Sequence, residues 1–299
     1  MLDFLQLDFY LSLGGLVAGL MVGLTGMGGA ALVTPMLVLL FGVSPAAAVS
    51  SDVVASAVMK PVGAFVHIRA KSVHWRLVWW LSVGSVPAVL LGTLVFAKVL
   101  NTDAAAETIR TWIGVVLVIA LIAMIAKGFV AKRAGTIRSQ SELLGTTMPV
   151  KIPQTIVLGA VVGFFVGLTS VGSGSLIVTS LLLLYPLLRP SVLVGTDLTQ
   201  AVPMLIAGAI AHAGFGEISI AVVISLLIGQ IPGVWIGARM SSRYDGHALR
   251  WLLMVVLAAT AAKLLGAPSI IAGMIALVGM GVVGLLIVRD RGKVPGQKA

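Results

Sequence analysis

The chain has 299 residues, of which 59% are hydrophobic and 10% are charged, and its mean hydropathy of +1.12 lies far above that of soluble globular domains. The formal net charge is +10, but the basic residues are spread through short joins rather than clustered on one face, which argues against nucleic acid as a partner. The absence of cysteine excludes disulfides, thiolate catalysis and cysteine-based metal sites. A single transmembrane domain over residues 1–299 is therefore predicted.

Taken in chain order, the apolar segments form two similar series. Each series opens with a segment broken by a glycine-rich stretch and continues with three long apolar helices. The broken segments cover residues 9–24 with 30–42 and 156–168 with 175–188, and the long helices cover residues 45–69, 75–98, 110–127, 190–213, 218–240, 249–265 and, last, 269–288. Since a spanning helix needs about 20 apolar residues, none of the short pieces is expected to span comfortably.

The two series are copies of one unit, because matched residues keep their order and spacing along the chain. The matched pairs include Gly15 and Gly159, Gly19 and Gly163, Gly23 and Gly167, Pro45 and Pro190, Asp52 and Asp197, His67 and His212, and Pro87 and Pro232. The predicted organisation is repeat 1 over residues 9–127, a cytoplasmic connecting loop over 128–152, repeat 2 over 153–265, and a last transmembrane helix over 269–288.

Basic residues in the joins predict the orientation, because cytoplasmic loops carry an excess of lysine and arginine. Lys151 and Arg189 flank the second broken segment, so it is predicted to enter and leave on the cytoplasmic side as a re-entrant hairpin. The first broken segment is predicted to do the same from outside, with the N-terminus outside and the C-terminus cytoplasmic. Two ordinary spans per broken segment are the alternative.

The predicted fold is thus an all-α polytopic membrane protein with about seven full spans. Two inverted repeats, each a re-entrant helical hairpin plus three transmembrane helices, are followed by one extra C-terminal helix. Inverted repeats with discontinuous helices are typical of transporters, whose binding site lies near the midplane where the repeats meet.

Charged residues deep within predicted spans are the first candidates for function, because such groups are costly in hydrocarbon. Lys60, Asp52 and Asp197 are of this kind. Lys60 has Leu205 as its repeat counterpart, so the charge is not required by the shared fold, and an anion site explains it. The alternative is an ion pair with Asp52, but eight residues of helix separate the two by about 12 Å.

Asp52 and Asp197 occupy matching positions and are favoured as structural groups that satisfy freed backbone amides of a neighbouring hairpin. Coupling to a proton or another cation is the second interpretation. His67 and His212 lie nearer the helix ends and are favoured as interfacial hydrogen-bonding groups over proton carriers.

The two breaks are the strongest candidates for substrate binding. A half-helix that begins after a glycine-rich break points free backbone N–H groups and its positive dipole end at the gap, which suits a small anion. Gly15, Gly19 and Gly23 are instead attributed to close helix packing. Gln200 and Gln230, which replace Ala55 and Ser85 of the other repeat, are predicted to orient the ligand. The predicted substrate-binding residues are Lys60, Thr25, Gly26, Gly28, Gly29, Ser170, Gly172, Ser173, Gly174, Gln200 and Gln230.

Three motifs occur in both repeats: a Gly-Leu-Thr break, a following Ser-Pro with Ser-Asp or Arg-Pro with Thr-Asp, and a glycine and proline pattern at Gly84, Pro87 and Gly92 and at Gly229, Pro232 and Gly237. In these motifs, and over residues 12–288, the chain resembles the TauE/SafE family of sulfite and organosulfonate exporters. The resemblance implies a multi-pass protein of the bacterial inner membrane that moves small sulfur-containing anions such as sulfite or sulfoacetate.

The leading functional hypothesis is a secondary transporter, with export as the expected direction, whose partners are a small anion and the lipid bilayer. A passive anion channel and an importer of another small anion are the alternatives. ATP-driven transport is not expected, since the chain lacks a phosphate-binding loop, and no enzyme is expected, since it lacks a His-Glu-X-X-His motif and a convincing nucleophile and base pair. No cofactor and no metal are predicted, and a homodimer is compatible with the sequence.

Overall fold

The computed structural model describes residues 8–26, 29–138, 148–215, 217–240 and 247–291. Within these ranges every regular element is an α-helix, which confirms the predicted fold class. The helices are α1 (Phe9–Thr25), α2 (Gly29–Leu39), α3 (Pro45–Arg69), α4 (Trp75–Leu100), α5 (Ala105–Arg138), α6 (Ile152–Thr169), α7 (Ser175–Leu184), α8 (Pro190–Ala213), α9 (Ile220–Met240), α10 (His247–Leu264) and α11 (Ser269–Arg291).

The helices α3 and α8 have the predicted bounds because each begins with proline in its first turn, where the missing N–H has no helical partner to lose. At α3 the side chain of Ser44 also caps the helix by accepting a hydrogen bond from the amide of Ala47 at 3.2 Å. Both helices carry a further proline in their interior, Pro61 and Pro203, as membrane helices tolerate.

Most other predicted bounds differ from the observed ones, and two of these differences bear on the architecture. The connecting loop does not begin at residue 128, because α5 continues to Arg138. Alanine, lysine and arginine are good helix formers, so this polar stretch prolongs the helix beyond its apolar part. In the second broken segment, α6 begins at Ile152 and has 18 residues, which makes it long enough to count among six candidate spans of the described chain. The other five candidates are α3, α4, α5, α8 and α9, whereas the described apolar parts of α10 and α11 are shorter.

Each repeat places the first arm of its hairpin against the other repeat. A Cβ atom built on Gly19 of α1 would lie 2.8 Å from the Cα of Gln230 on α9, and one built on Gly163 of α6 would lie 2.7 Å from the Cα of Ser85 on α4. Backbones can approach this closely only where neither a Cβ nor a larger group intervenes. The prediction that Gly15, Gly19 and Gly23 serve close helix packing is confirmed, and the repeats are interlocked.

The second broken segment folds back on itself. The hydroxyl of Tyr185, just after α7, lies 2.7 Å from Oγ1 of Thr155 and accepts a hydrogen bond from the amide of Lys151 at 2.8 Å. Both of these partners lie at the beginning of α6. The two arms α6 and α7 therefore start and finish at the same end of the bundle, with residues 170–174 as the tip between them.

Helices α3 and α8 cross at the centre in opposite directions. Ser51 near the start of α3 accepts a hydrogen bond from the amide of Ser219 at 3.0 Å, and Thr196 near the start of α8 accepts one from the amide of His74 at the same distance. These two bonds join corresponding residues of the two repeats, so the sequence repeat is also a repeat of contacts. The backbone amides bonded here, those of Ser219 and His74, lie just before α9 and α4, whereas the sequence predicted that amides of the hairpins would be bonded at these positions.

Candidate functional site

The tip of the second hairpin lies along α3. Ser170 ends α6 in the left-handed backbone conformation with φ of 61°, and its hydroxyl donates to Oδ2 of Asp52 at 2.9 Å. A residue other than glycine is strained in this conformation by about 1–2 kcal/mol. The counterpart in the first hairpin, Gly26, has almost the same φ of 66° without that strain. Glycine would adopt this conformation more easily than Ser170 does, and the serine hydroxyl forms a hydrogen bond that glycine could not form.

Lys60 contacts the same tip two helical turns further along α3. Its side chain is 3% exposed, and Nζ donates to Oγ of Ser173 at 2.6 Å. Ser173 itself is 2% exposed and lies just before the start of α7. A buried ammonium group, a hydroxyl and the beginning of a helix thus meet in the interior of the bundle.

The surroundings of Lys60 differ from the expectation that it has only a bound anion to balance its charge. The carboxylates of Asp197 on α8 and of Asp52 on its own helix both lie within electrostatic reach of the ammonium group. The crossing of α3 with α8 brings Asp197 near, although it belongs to the other repeat. An anion remains compatible with the site, but its presence no longer follows from the need to neutralise Lys60.

The tip of the first hairpin differs from the second in its polar contacts. The hydroxyl of Thr25 donates to the backbone oxygen of Met21 at 2.7 Å within its own helix. A Cβ atom built on Gly26 would lie 3.1 Å from Cγ1 of Val194 on α8. Gly28 lies outside the described residues, and Gly29 is the first residue of α2. In the second hairpin Gly172 has φ of 115°, a conformation that favours glycine, whereas Gly174 lies in the ordinary helical region and directly precedes α7.

The two predicted glutamines differ from each other. Nε2 of Gln200 on α8 donates to Oγ of Ser85 on α4 at 2.8 Å, while its Oε1 has no partner among the described residues. Gln230 on α9 is fully buried, and within the described part of the chain neither of its amide atoms has a hydrogen-bond partner. Gln230 is therefore a better candidate than Gln200 for a side chain that hydrogen-bonds to a ligand.

Both predicted histidines have a ring nitrogen within hydrogen-bonding distance of a neighbouring group. Nδ1 of His212 lies 3.1 Å from Oγ of Ser50, and Nε2 lies 3.1 Å from the backbone oxygen of Gly167, so His212 ties α8 to α3 and α6. Nδ1 of His67 lies 2.9 Å from Oγ of Ser72, whereas its Nε2 has no partner among the described residues.

Two residues of the central cluster escape prediction from the sequence. Thr34 of α2 donates to Oδ2 of Asp52 at 2.7 Å, and Ser56 of α3 approaches Oδ1 at 3.4 Å. Ser56 stands four residues from both Asp52 and Lys60, so helical spacing alone could have placed all three on one face. No such signal marks Thr34, because a hydroxyl within an apolar helix usually bonds to its own backbone.

Helical spans, interlocked inverted repeats and a polar centre at the tip of a broken helix together define a multi-pass membrane transporter. A sequence profile described as "Sulfite exporter TauE/SafE" matches residues 11–264, and the chain belongs to this family. In the described residues no group of three His, Cys, Asp or Glu side chains is arranged to hold a metal ion.

Three proteins of Bacillus subtilis (strain 168) are similar to the chain. "Probable membrane transporter protein YjnA" is 36% identical over 84% of this chain and 97% of its own length. "Probable membrane transporter protein YunE" is 25% identical over 76% of this chain and 85% of its own length, and "Probable membrane transporter protein YdhB" is 26% identical over 75% and 86%. No solved structure matches the chain.

Proposed function

We propose that this transporter is a secondary exporter of a small sulfur-containing anion, such as sulfite or an organosulfonate, and that the anion binds at the contact between Lys60 and the tip of the second hairpin. The observation that carries the proposal is the 2.6 Å hydrogen bond from Nζ of Lys60 to Oγ of Ser173, at the start of α7. The description of the family supports the sulfur-containing substrate and the outward direction.

The beginning of α7 supplies the remaining donors for an oxyanion. Gly174 precedes the helix, and no side chain among the described residues caps it. The first turn of a helix has N–H groups without helical partners, and its dipole places partial positive charge there. Of these amides, that of Leu176 already donates to the backbone oxygen of Gly172 at 3.2 Å. An anion with several oxygens could accept hydrogen bonds from Lys60, from Ser173 and from the other amides of the first turn at the same time.

The membrane potential favours the proposed direction. Moving one negative charge outward from a cytoplasm at negative potential gains about 2.3 kcal/mol per 100 mV. The orientation that goes with it has the C-terminus in the cytoplasm of a bacterial cell and the first hairpin open to the outside, in agreement with the distribution of lysine and arginine. A reporter fused after Ala299 should be active only on the cytoplasmic side, and activity on the outer side would refute this orientation.

The substitution Lys60→Ala tests the anion site. Interaction between unit charges in a partly desolvated site is worth a few kcal/mol, so the affinity for sulfite should fall by on the order of a hundredfold, and Lys60→Arg should retain part of it. The free energy of unfolding should also fall, because Asp52 and Asp197 lose a nearby positive charge. Calorimetry on folded, monodisperse protein separates the two effects.

Lys263 offers a matched control, since it is another lysine whose ammonium group donates to a serine hydroxyl, that of Ser269, but at an exposed position. Lys263→Ala should leave the affinity for sulfite unchanged. Unchanged affinity in folded Lys60→Ala would place the anion elsewhere. In reconstituted vesicles, flux that saturates with sulfite concentration distinguishes the transporter from a passive anion channel, for which flux would rise without saturation.

A further inference from the structure

A second polar cluster surrounds Asp52, two turns before Lys60 on α3. Its carboxylate is fully buried and lies close to three hydroxyl groups: that of Thr34 at 2.7 Å, that of Ser170 at 2.9 Å and that of Ser56 at 3.4 Å. Thr34 belongs to the first hairpin and Ser170 to the second, while Ser56 belongs to α3. The cluster consists only of oxygen atoms, is buried throughout, and joins both repeats.

The repeat shows that the fold does not require these hydroxyls. The sequence counterparts of Thr34, Ser56 and Ser170 are Thr179, Ala201 and Gly26, so two of the three hydroxyls that surround Asp52 have no counterpart in the other repeat. A carboxylate that served only the shared fold would need the same support in both repeats. Ser170 moreover occupies a left-handed backbone position where its counterpart is glycine. The hydroxyls of Ser56 and Ser170 therefore indicate a role of the Asp52 cluster that the other repeat does not share.

The local field at Asp52 favours a cation. The half-helix α6 ends at Thr169, and Ser170 follows it directly, so the negative end of the helix dipole is directed toward the carboxylate. The charged group on α3 within reach is Lys60, whose ammonium group is bonded to Ser173. The ring of His212 on α8 lies within hydrogen-bonding distance of Ser50 and Gly167. None of these occupies the oxygen cluster. In broken-helix transporters, the C-terminal ends of half-helices and nearby oxygens coordinate sodium ions or protons.

We propose that Asp52, Thr34, Ser56 and Ser170 form a binding site for a sodium ion. Hard cations prefer carboxylate and hydroxyl oxygens. A single carboxylate neutralises one positive charge, whereas a divalent ion would leave a net charge buried at the centre of the bundle. The assignment of this ion site stands on its own geometry, while the coupling described next also rests on the proposed anion site at Lys60.

The two sites are coupled through shared groups. Lys60 lies within electrostatic reach of Asp52, and the short tip from Ser170 to Ser173 contacts both. An anion bound at Lys60 offsets the positive charge that would otherwise repel a cation at Asp52, and a sodium ion does the converse for the anion. Each ligand should therefore strengthen the binding of the other by the same factor.

Thermal unfolding of the purified full chain in lipid nanodiscs tests the ion site without any anion substrate. Sodium chloride should raise the unfolding temperature, while potassium chloride and choline chloride at equal ionic strength should not. The double variant Ser56→Ala with Ser170→Gly, which copies the residues of the other repeat, should need about tenfold more sodium for the same shift. Asp52→Asn should abolish the response, and the double variant keeps the test available if Asp52→Asn does not fold.

Thr199→Val is the matched control, because it removes a buried hydroxyl of α8 that donates to the backbone oxygen of Gly195 and copies the counterpart Val54. It should respond to sodium as the wild type does. An equal response to all three salts, an unchanged sodium midpoint in the double variant, or a response to pH in place of sodium would overturn the site, the last in favour of a proton.

Calorimetry with sulfite then tests the coupling. The affinity for sulfite should be several-fold higher in sodium than in choline, and the double variant should lose this difference. Sulfite binding that is indifferent to sodium would refute the coupling and leave the anion site in place. A sodium response in a protein that does not bind sulfite would instead refute the proposed anion site while the ion site stands.

Discussion

The two hairpin tips occupy corresponding places in the interlocked repeats, yet they present different chemistry. The second tip approaches α3 with Ser170 and Ser173, which bond to Asp52 and Lys60. The first tip approaches α8 with Gly26, and the α8 counterpart of Lys60 is Leu205. The packing glycines, by contrast, match pair by pair in both halves. The shared frame, by which we mean the close helix packing at the matched glycines, is thus present in both repeats. The polar centre, formed by Asp52, Lys60, Ser170 and Ser173, depends on residues that differ between the repeats.

The largest expected effect concerns the shared frame. Gly19→Leu in α1 and Gly163→Leu in α6 each force a side chain into the backbone of the neighbouring helix, at Gln230 and Ser85 respectively. Because the two contacts are equivalent, both variants should fail to give folded, monodisperse protein by size-exclusion chromatography.

Gly281→Leu in α11 is the control for this pair, since no atom of the described residues lies within 4 Å of a Cβ atom at that glycine and the position is exposed. This variant should fold normally. If either Gly19→Leu or Gly163→Leu folded as well as Gly281→Leu, the two repeats would not share one frame.

A smaller effect is expected where the tips differ. Ser173→Gly makes the second tip more like the first and removes the hydroxyl that accepts from Lys60. A hydrogen bond to a charged group contributes about 1.5–3 kcal/mol, so the affinity for sulfite should fall by roughly tenfold to a hundredfold. Thr260→Val, which removes a hydroxyl bonded only within α10, should leave the affinity unchanged in the same calorimetric titration. An affinity retained by Ser173→Gly would separate the anion from the second tip.

The sequence predicts the frame better than the centre. Proline in the first turn gives α3 and α8 their observed starts, and the spacing of Gly15, Gly19 and Gly23 correctly indicates close packing. It does not indicate that these glycines pack against α9 of the other repeat, because helical spacing identifies a face of a helix without its neighbour.

The polar centre is harder to predict because its members come from distant parts of the chain. Lys60 and Asp52 stand out as charges in an apolar helix, whereas the hydroxyl of Thr34 acquires its role only through the fold that places it 2.7 Å from Asp52. The approach of Asp197 to Lys60 likewise depends on the crossing of α3 and α8. The extension of α5 to Arg138 was missed for a different reason, since helix-forming polar residues leave no mark in hydropathy.

The smallest expected effect distinguishes the two glutamines. Gln230→Met replaces an amide without a hydrogen-bond partner in the described structure by an apolar chain of similar length, so the free energy of unfolding should rise by about 1 kcal/mol. Gln200→Met removes the donor to Ser85 and should lower it by a similar amount. If Gln230 orients the anion, its variant should bind sulfite several-fold more weakly despite its greater stability. Denaturant unfolding and calorimetry on the same samples measure both quantities. A Gln230→Met protein that gains stability and keeps full affinity would show that this amide is a cost of the fold and takes no part in binding.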